Sequence, residues 1–234
     1  MAFFKHNGYL EKKEFIDKKL LEKLENLYNH ELNNTNANVV KLDFINLNRY
    51  EILNEINQNF IKLIRDEIKI DIVLRNIWLQ KSNFESIHNS VPYIPHIDKK
   101  RYFKIFLYLN DVDKENGPLS VCTNANIRDN EFKRKSWWKK VEGKSRDQIN
   151  KEDNHGLVFE NENLNFKSVC LPAGSIVALD TNCPHFAGKI KEGFDRKILR
   201  FNFFSSFENS YDINFKAKKL FLNISKIVNY YKNL

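Results

Sequence analysis

Apolar residues recur at three- and four-residue steps through the first part of the chain: Leu10, Phe15, Ile16, Leu20, Leu21, Leu24, Leu27 and Tyr28. That spacing predicts an amphipathic helix. A polar break at Asn33-Asn34-Thr35-Asn36 precedes a second stretch of the same period, Tyr50, Leu53, Ile56, Asn57, Phe60, Ile61 and Ile64. Neither helix can bury a core alone, so residues 1–68 are expected to form a helical layer, not a domain. From residue 70 onward the pattern shortens to β-rich runs between turn residues. Candidate strands are Asp71–Leu79, Phe103–Leu109, Ser168–Leu171, Ser175–Asp180 and Ile198–Phe204. Turn signals stand at Glu115-Asn116-Gly117-Pro118 and Pro172-Ala173-Gly174-Ser175. Short strands at this spacing predict a mainly β fold with flanking helices, its jelly-roll core covering residues 70–207.

Two stretches depart from strand alternation. Residues 128–162 are rich in Lys, Asp and Glu and contain Trp137-Trp138. A lid-like surface excursion is the expectation, because long excursions from compact domains tend to be functional. Stacking of the two tryptophans on nucleic acid, with the adjacent lysines on phosphates, is the less favoured reading. Residues 210–234 place Phe215, Leu220, Phe221, Ile224, Ile227 and Val228 against Lys216, Lys218, Lys219 and Lys226. They are expected to form a basic amphipathic helix packed on the body of one domain, residues 1–234.

Composition narrows the class. The chain of 234 residues is 42% hydrophobic and 13% aromatic, which excludes disorder of the whole. Its net charge of +8 is spread along the sequence, so it reads mainly as a lysine-rich surface, with attraction of anions secondary. Cys122, Cys170 and Cys183 form no CxxC pair. They are expected to be buried small hydrophobes in a reducing compartment. No run of about 18 apolar residues exists and Met1 to Leu10 lacks a signal-peptide pattern, so a cytoplasmic location without membrane partner is expected.

The candidate chemistry sits in a few positions. Of six histidines, His96 and His185 stand in site-like contexts. In Pro95-His96-Ile97-Asp98 the imidazole and the carboxylate are two residues apart, so an extended backbone points both to one side. His185 follows the strand-like run to Asp180 and lies in a turn between Pro184 and Gly188. Two imidazoles and one carboxylate on one face form the ligand set of non-haem iron(II) oxygenases. By alternation Arg196, Ile198, Arg200 and Asn202 share one face, and Leu199, Phe201 and Phe203 the other. An inward guanidinium needs an anion, and a 2-oxoglutarate carboxylate satisfies it bidentately. Arg200 rivals Arg196 for that role.

With these residues in view, the sequence resembles the phytanoyl-CoA dioxygenase family of iron(II)/2-oxoglutarate oxygenases. The matching pieces are His96-Ile97-Asp98, the run from Lys104 to Leu119, Leu171 to Asp180, His185 and Arg196. The resemblance implies a double-stranded β-helix with helices outside and Fe(II) on His96, Asp98 and His185. It also implies a 2-oxoglutarate salt bridge to Arg196, and O2 as oxidant with release of succinate and CO2. An aspartate at Asp98, where related halogenases carry a small residue, favours hydroxylation. Two positions depart from the family: Val121-Cys-Thr-Asn-Ala-Asn126 replaces a Gly-Ser-His segment, and Ala187 replaces a hydroxyl residue that helps hold 2-oxoglutarate. Lys104 shares the inward parity of the ligands if the strand runs unbroken, and is the candidate to supply the missing contact to the cosubstrate.

The reading is therefore a hydroxylase for a small, anionic metabolite, with its substrate-binding residues unassigned. The rivals are a cupin-like metal protein with isomerase or binding function, which has no need of Arg196, and a silent binding module without iron affinity.

Overall fold

A computed structural model describes residues 4, 7–35, 37–43, 49–84, 93, 95–98, 101–125, 127, 130 and 163–205. The expected lid (apart from Asn130), Trp137-Trp138 and the basic C-terminal helix lie outside the described residues.

The first helical period starts later than the apolar spacing suggests. Tyr9–Lys12 is an edge strand, β1, and Glu14 follows it with φ 46°, which breaks any continuous helix. Helix α1 spans Lys18–Thr35. The Asp17 carboxylate accepts the Leu20 N–H at 2.8 Å and so caps the helix start. Leu24, Tyr28 and Leu32, spaced by four, form its buried stripe. Strand β2, Val39–Asp43, follows. Helix α2, Glu51–Ile68, buries Leu53, Ile56, Asn57, Phe60, Ile64 and Ile68 and ends at Lys69, whose left-handed backbone lets its N–H reach the Ile64 carbonyl. No side chain caps the start of α2, so burial must hold it in place. Leu53, Ile56, Phe60 and Ile64 are each 0% exposed, and each contributes about 1.5–3 kcal/mol against the ~1 kcal/mol of a cap.

The remaining strands are β3 (Ile72–Asn83), β4 (Phe103–Tyr108), β5 (Leu119–Cys122), β6 (Phe166–Ser168), β7 (Ile176–Asp180), β8 (His185–Ala187) and β9 (Asp195–Ser205). They form two antiparallel sheets, β1-β7-β4-β9-β3-β2 and β6-β5-β8. On the outer face of the large sheet, Ile105, Leu107, Ala178, Leu199, Phe201 and Phe203 join the helices in one core. The T-shaped pair Phe60–Phe201, with ring centroids 4.9 Å apart, sits in that layer. On the inner face Phe106, Tyr108, Val177, Leu179 and Ile198 pack with Leu119, Val121 and Cys122 of the small sheet. The result is a jelly roll with flanking helices, and the alternation expected for residues 196–203 is the alternation observed.

Strand β3 contains the one register shift in that pattern. Ile72 and Leu74 face the helices, the pairing with β9 slips between Leu74 and Asn76, and Ile77 and Leu79 then face the helices. One extra residue flips the parity, so Asn76, Trp78, Gln80 and Ser82 stand opposite Asn202, Arg200, Ile198 and Arg196. The third expected strand is also displaced: pairing covers Phe166–Ser168, while Leu171 makes only an isolated bridge with Val112. No disulfide joins the three cysteines; Cys122 and Cys183 are buried, but Cys170 is exposed, at a place where the chain has already left the small sheet. Among the described residues no helix is long and apolar enough to cross a membrane.

Candidate metal centre

Backbone pairing brings the two histidines together. The His96 N–H donates to the His185 carbonyl at 3.1 Å and the His185 N–H returns the bond at 2.9 Å, a single bridge between remote segments. Directly opposite residues carry their side chains side by side, and the two imidazole centroids are 4.6 Å apart. Asp98 lies two residues on, its N–H directed to the Thr181 carbonyl at 3.4 Å. Its Oδ1 is 3.8 Å from His96 Nε2 and 3.8 Å from His185 Nε2.

These three residues could hold a metal ion, since their donor atoms all lie within 4.8 Å of one another. With metal–ligand bonds of about 2.0–2.2 Å, donors at a right angle are about 3 Å apart and opposed donors about 4 Å. The observed separations fall inside or near that range, so small side-chain rotations complete the set. The tautomer also fits. His185 Nδ1 lies 2.9 Å from the Cys183 carbonyl, which can only accept, so Nδ1 carries the proton and Nε2 presents its lone pair. Burial first, and then the neighbouring His96, push the His185 pKa down to about 3, keeping the ring neutral. For Asp98, burial favours the neutral acid, but Lys104 and the two histidines outweigh it and hold the carboxyl well below its usual range.

Lys104 does point inward, and its ammonium pairs with Asp98 Oδ2 at 2.5 Å. The anion it meets in the protein is thus a candidate metal ligand. Two of its three donors find no partner among the described residues. Arg196 is 4% exposed and donates through Nη1 to the Gly117 carbonyl, while its Nε has no partner. Tyr108 and Tyr93 act on it electrostatically, and among the described residues no carboxylate does. Gly117, with φ +67°, packs against Gly188, three residues past His185 and one past Ala187.

Sequence reasoning missed the braces behind the ligands. Asp180 is 0% exposed and accepts bonds from Arg101 Nε at 3.1 Å and Nη2 at 2.6 Å. It also accepts the Asn182 N–H at 3.0 Å. Thr181 next to it accepts the Tyr102 N–H on its hydroxyl at 2.8 Å and donates its own N–H to the Tyr102 carbonyl at 3.0 Å. The segments leading to His185 and away from Asp98 are therefore tied together at the end of β7. An aspartate closing an apolar run was the available signal.

No protein-family model matches the chain, and no curated protein matches it in sequence. Comparison of folds does find solved structures. The carbocyclase SnoK of nogalamycin biosynthesis, described as non-haem and α-ketoglutarate dependent, superposes with TM-score 0.63 at 10% identity. The match covers 93% of this chain and 88% of that one. The epimerase SnoN, of the same pathway and description, gives 0.60 at 13% identity over 87% and 80%. HygX from Streptomyces hygroscopicus, solved with nickel and 2-oxoglutarate bound, gives 0.59 at 12% identity over 90% and 87%. At such low identity the likeness is one of architecture: the chain has the jelly-roll fold of iron- and 2-oxoglutarate-dependent enzymes.

Proposed function

We propose that the chain is an iron(II)- and 2-oxoglutarate-dependent oxygenase resembling the phytanoyl-CoA dioxygenase family, acting on a small anionic metabolite. The observation that carries this reading is the convergence of His96, Asp98 and His185 in an interior that also buries the Arg196 guanidinium with no carboxylate beside it among the described residues. A buried arginine lacking a counter-ion is costly, and a dianionic cosubstrate removes that cost. A cupin-like isomerase or a silent binding module has no comparable use for it.

In this reading His96, Asp98 and His185 hold Fe(II) and Arg196 holds the distal carboxylate of 2-oxoglutarate. When bound, iron and cosubstrate supply O2-driven oxidation of a substrate C–H bond coupled to conversion of 2-oxoglutarate into succinate and CO2. The Cys183 carbonyl fixes the His185 tautomer, and Lys104 orients Asp98 while keeping donors for an incoming carboxylate. With Ala187 at the position two past His185, another group supplies the missing hydrogen bond in this reading, and Tyr93, which acts electrostatically on Arg196, is the candidate because the Tyr108 hydroxyl already donates to the Val169 carbonyl. Hydroxylation is the outcome proposed from the aspartate at 98; the similar folds include an epimerase and a carbocyclase, so architecture alone does not choose among oxidations.

The test is succinate formation from 2-oxoglutarate by iron-loaded protein in air. Wild-type protein should release succinate, with His96→Ala inactive and Arg196→Met needing far more 2-oxoglutarate. Wild-type protein that binds iron but forms no succinate, or Arg196→Met with an unchanged requirement, would overturn the assignment.

A further inference from the structure

The polar row on the inner face of β3 and β9 is not explained by metal or cosubstrate. Arg200 pairs across the ladder with Trp78, and its guanidinium carbon lies 4.0 Å from the centre of the indole ring. Trp78 is itself fixed: its Nε1 donates to Asn76 Oδ1 at 3.1 Å, and the same oxygen accepts from Asn202 Nδ2 at 2.7 Å. Stacking on a flat ring holds a guanidinium in plane and leaves its N–H edge free. That edge is unused. Among the described residues Arg200 makes no hydrogen bond or ion pair, and its Nε is buried without a partner.

Position and charge say what the edge faces. Arg200 also pairs with Phe106 on β4, one inward step from Lys104, and it acts electrostatically on both Lys104 and Asp98. Trp78, Gln80, Asp98, Lys104 and Arg200 are the partly accessible members of an interior whose Asn76, Arg196 and Asn202 are buried. They therefore line its open side, next to the candidate metal ligands. Among the described residues three cations, Lys104, Arg196 and Arg200, stand against the single carboxylate of Asp98. A divalent metal and a dianionic cosubstrate neutralise each other, so an excess of two positive charges remains at the open side. Water solvates such an excess poorly in a half-buried pocket, and an anionic ligand removes it.

We infer that Arg200, supported by Trp78, is the anchor for the carboxylate of a small organic acid, the substrate of the proposed oxygenase. This rests on the function proposed above. A carboxylate fits one guanidinium edge bidentately, which a flat stacked arginine presents.

The experiment uses nickel-loaded protein, which does not turn over, saturated with 2-oxoglutarate and titrated calorimetrically with hexanoate, benzoate and their amides. Wild type should bind each acid at least tenfold more tightly than its amide. Arg200→Met should lose that preference while its own 2-oxoglutarate titration stays unchanged. Because Arg200 hydrogen-bonds to no other group among the described residues, its removal strands no polar partner and the variant should fold. Trp78→Leu, which keeps the charge but removes the support, should weaken acid binding in the same direction. Equal affinity for acids and amides in wild type, or an acid preference that survives Arg200→Met, would overturn the inference. So would loss of 2-oxoglutarate binding in Arg200→Met with its retention in Arg196→Met, which would make Arg200 the cosubstrate arginine. A wild-type protein that takes no 2-oxoglutarate at all fails earlier, in a titration without any acid, and refutes the function itself.

Discussion

Asp180→Asn separates charge from shape at the brace behind the metal ligands. The amide keeps an oxygen for the Asn182 N–H, which Asp180 now accepts at 3.0 Å, but it loses the charge that faces Arg101 at 2.6 Å. Neutralising one member of a fully buried pair costs about 3–5 kcal/mol. The Arg101 side chain is 18% exposed and can recover some hydration, which lowers the expectation to about 2–3 kcal/mol. In urea, with a slope of about 2–3 kcal/mol/M, the unfolding midpoint of metal-free protein should fall by about 1 M. Arg101→Met should cost more than Asp180→Asn, because it strands a carboxylate that is 0% exposed. The same brace positions Thr181, whose carbonyl receives the Asp98 N–H, so nickel affinity should fall about 10- to 100-fold in Asp180→Asn. A variant within about 0.5 kcal/mol of wild type and with unchanged nickel affinity would refute this reasoning.

Other outcomes follow from single positions. Alanine at His96, Asp98 or His185 should abolish one-equivalent nickel binding in calorimetry, without unfolding the protein, since none of the three belongs to the helix-facing core. Phe201→Ala empties the junction between α2 and the large sheet and should cost about 3–5 kcal/mol, lowering the melting temperature by about 10 °C. Gly117→Ala puts a methyl group at φ +67° against the Gly188 backbone and disturbs the carbonyl that holds Arg196. It should destabilise by more than about 1 kcal/mol and weaken 2-oxoglutarate binding in the same titration. Lys69→Gly relieves a left-handed C-cap at φ 61° and should raise stability by about 0.5–1 kcal/mol in urea unfolding.

What could be read from the residues was local alternation. Phe201 and Phe203 against Arg200 and Asn202 showed the two faces of β9, and the period of Leu53, Ile56, Phe60 and Ile64 showed α2. His96 and Asp98, spaced by two, were legible as a pair for the same reason. Four strands were not: Tyr9–Lys12, Val39–Asp43, Leu119–Cys122 and His185–Ala187 are three to five residues long, too short for a period to emerge. Their pairing comes from partners distant along the chain, as the bridge between His96 and His185 does. The seat of Arg200 on Trp78 depends on β3 lying beside β9 and on a one-residue bulge before Asn76. Register and neighbour choice are tertiary properties, and alternation within one strand carries neither.

The claim on which the account turns is that His96, Asp98 and His185 bind one divalent metal together. Anomalous diffraction from a crystal grown with nickel tests it without reference to turnover. The account predicts a single strong peak within bonding distance, about 2.0–2.2 Å, of His96 Nε2, His185 Nε2 and an Asp98 carboxylate oxygen. A crystal with no peak there, Lys104 still seated on Asp98 at saturating nickel, would contradict it.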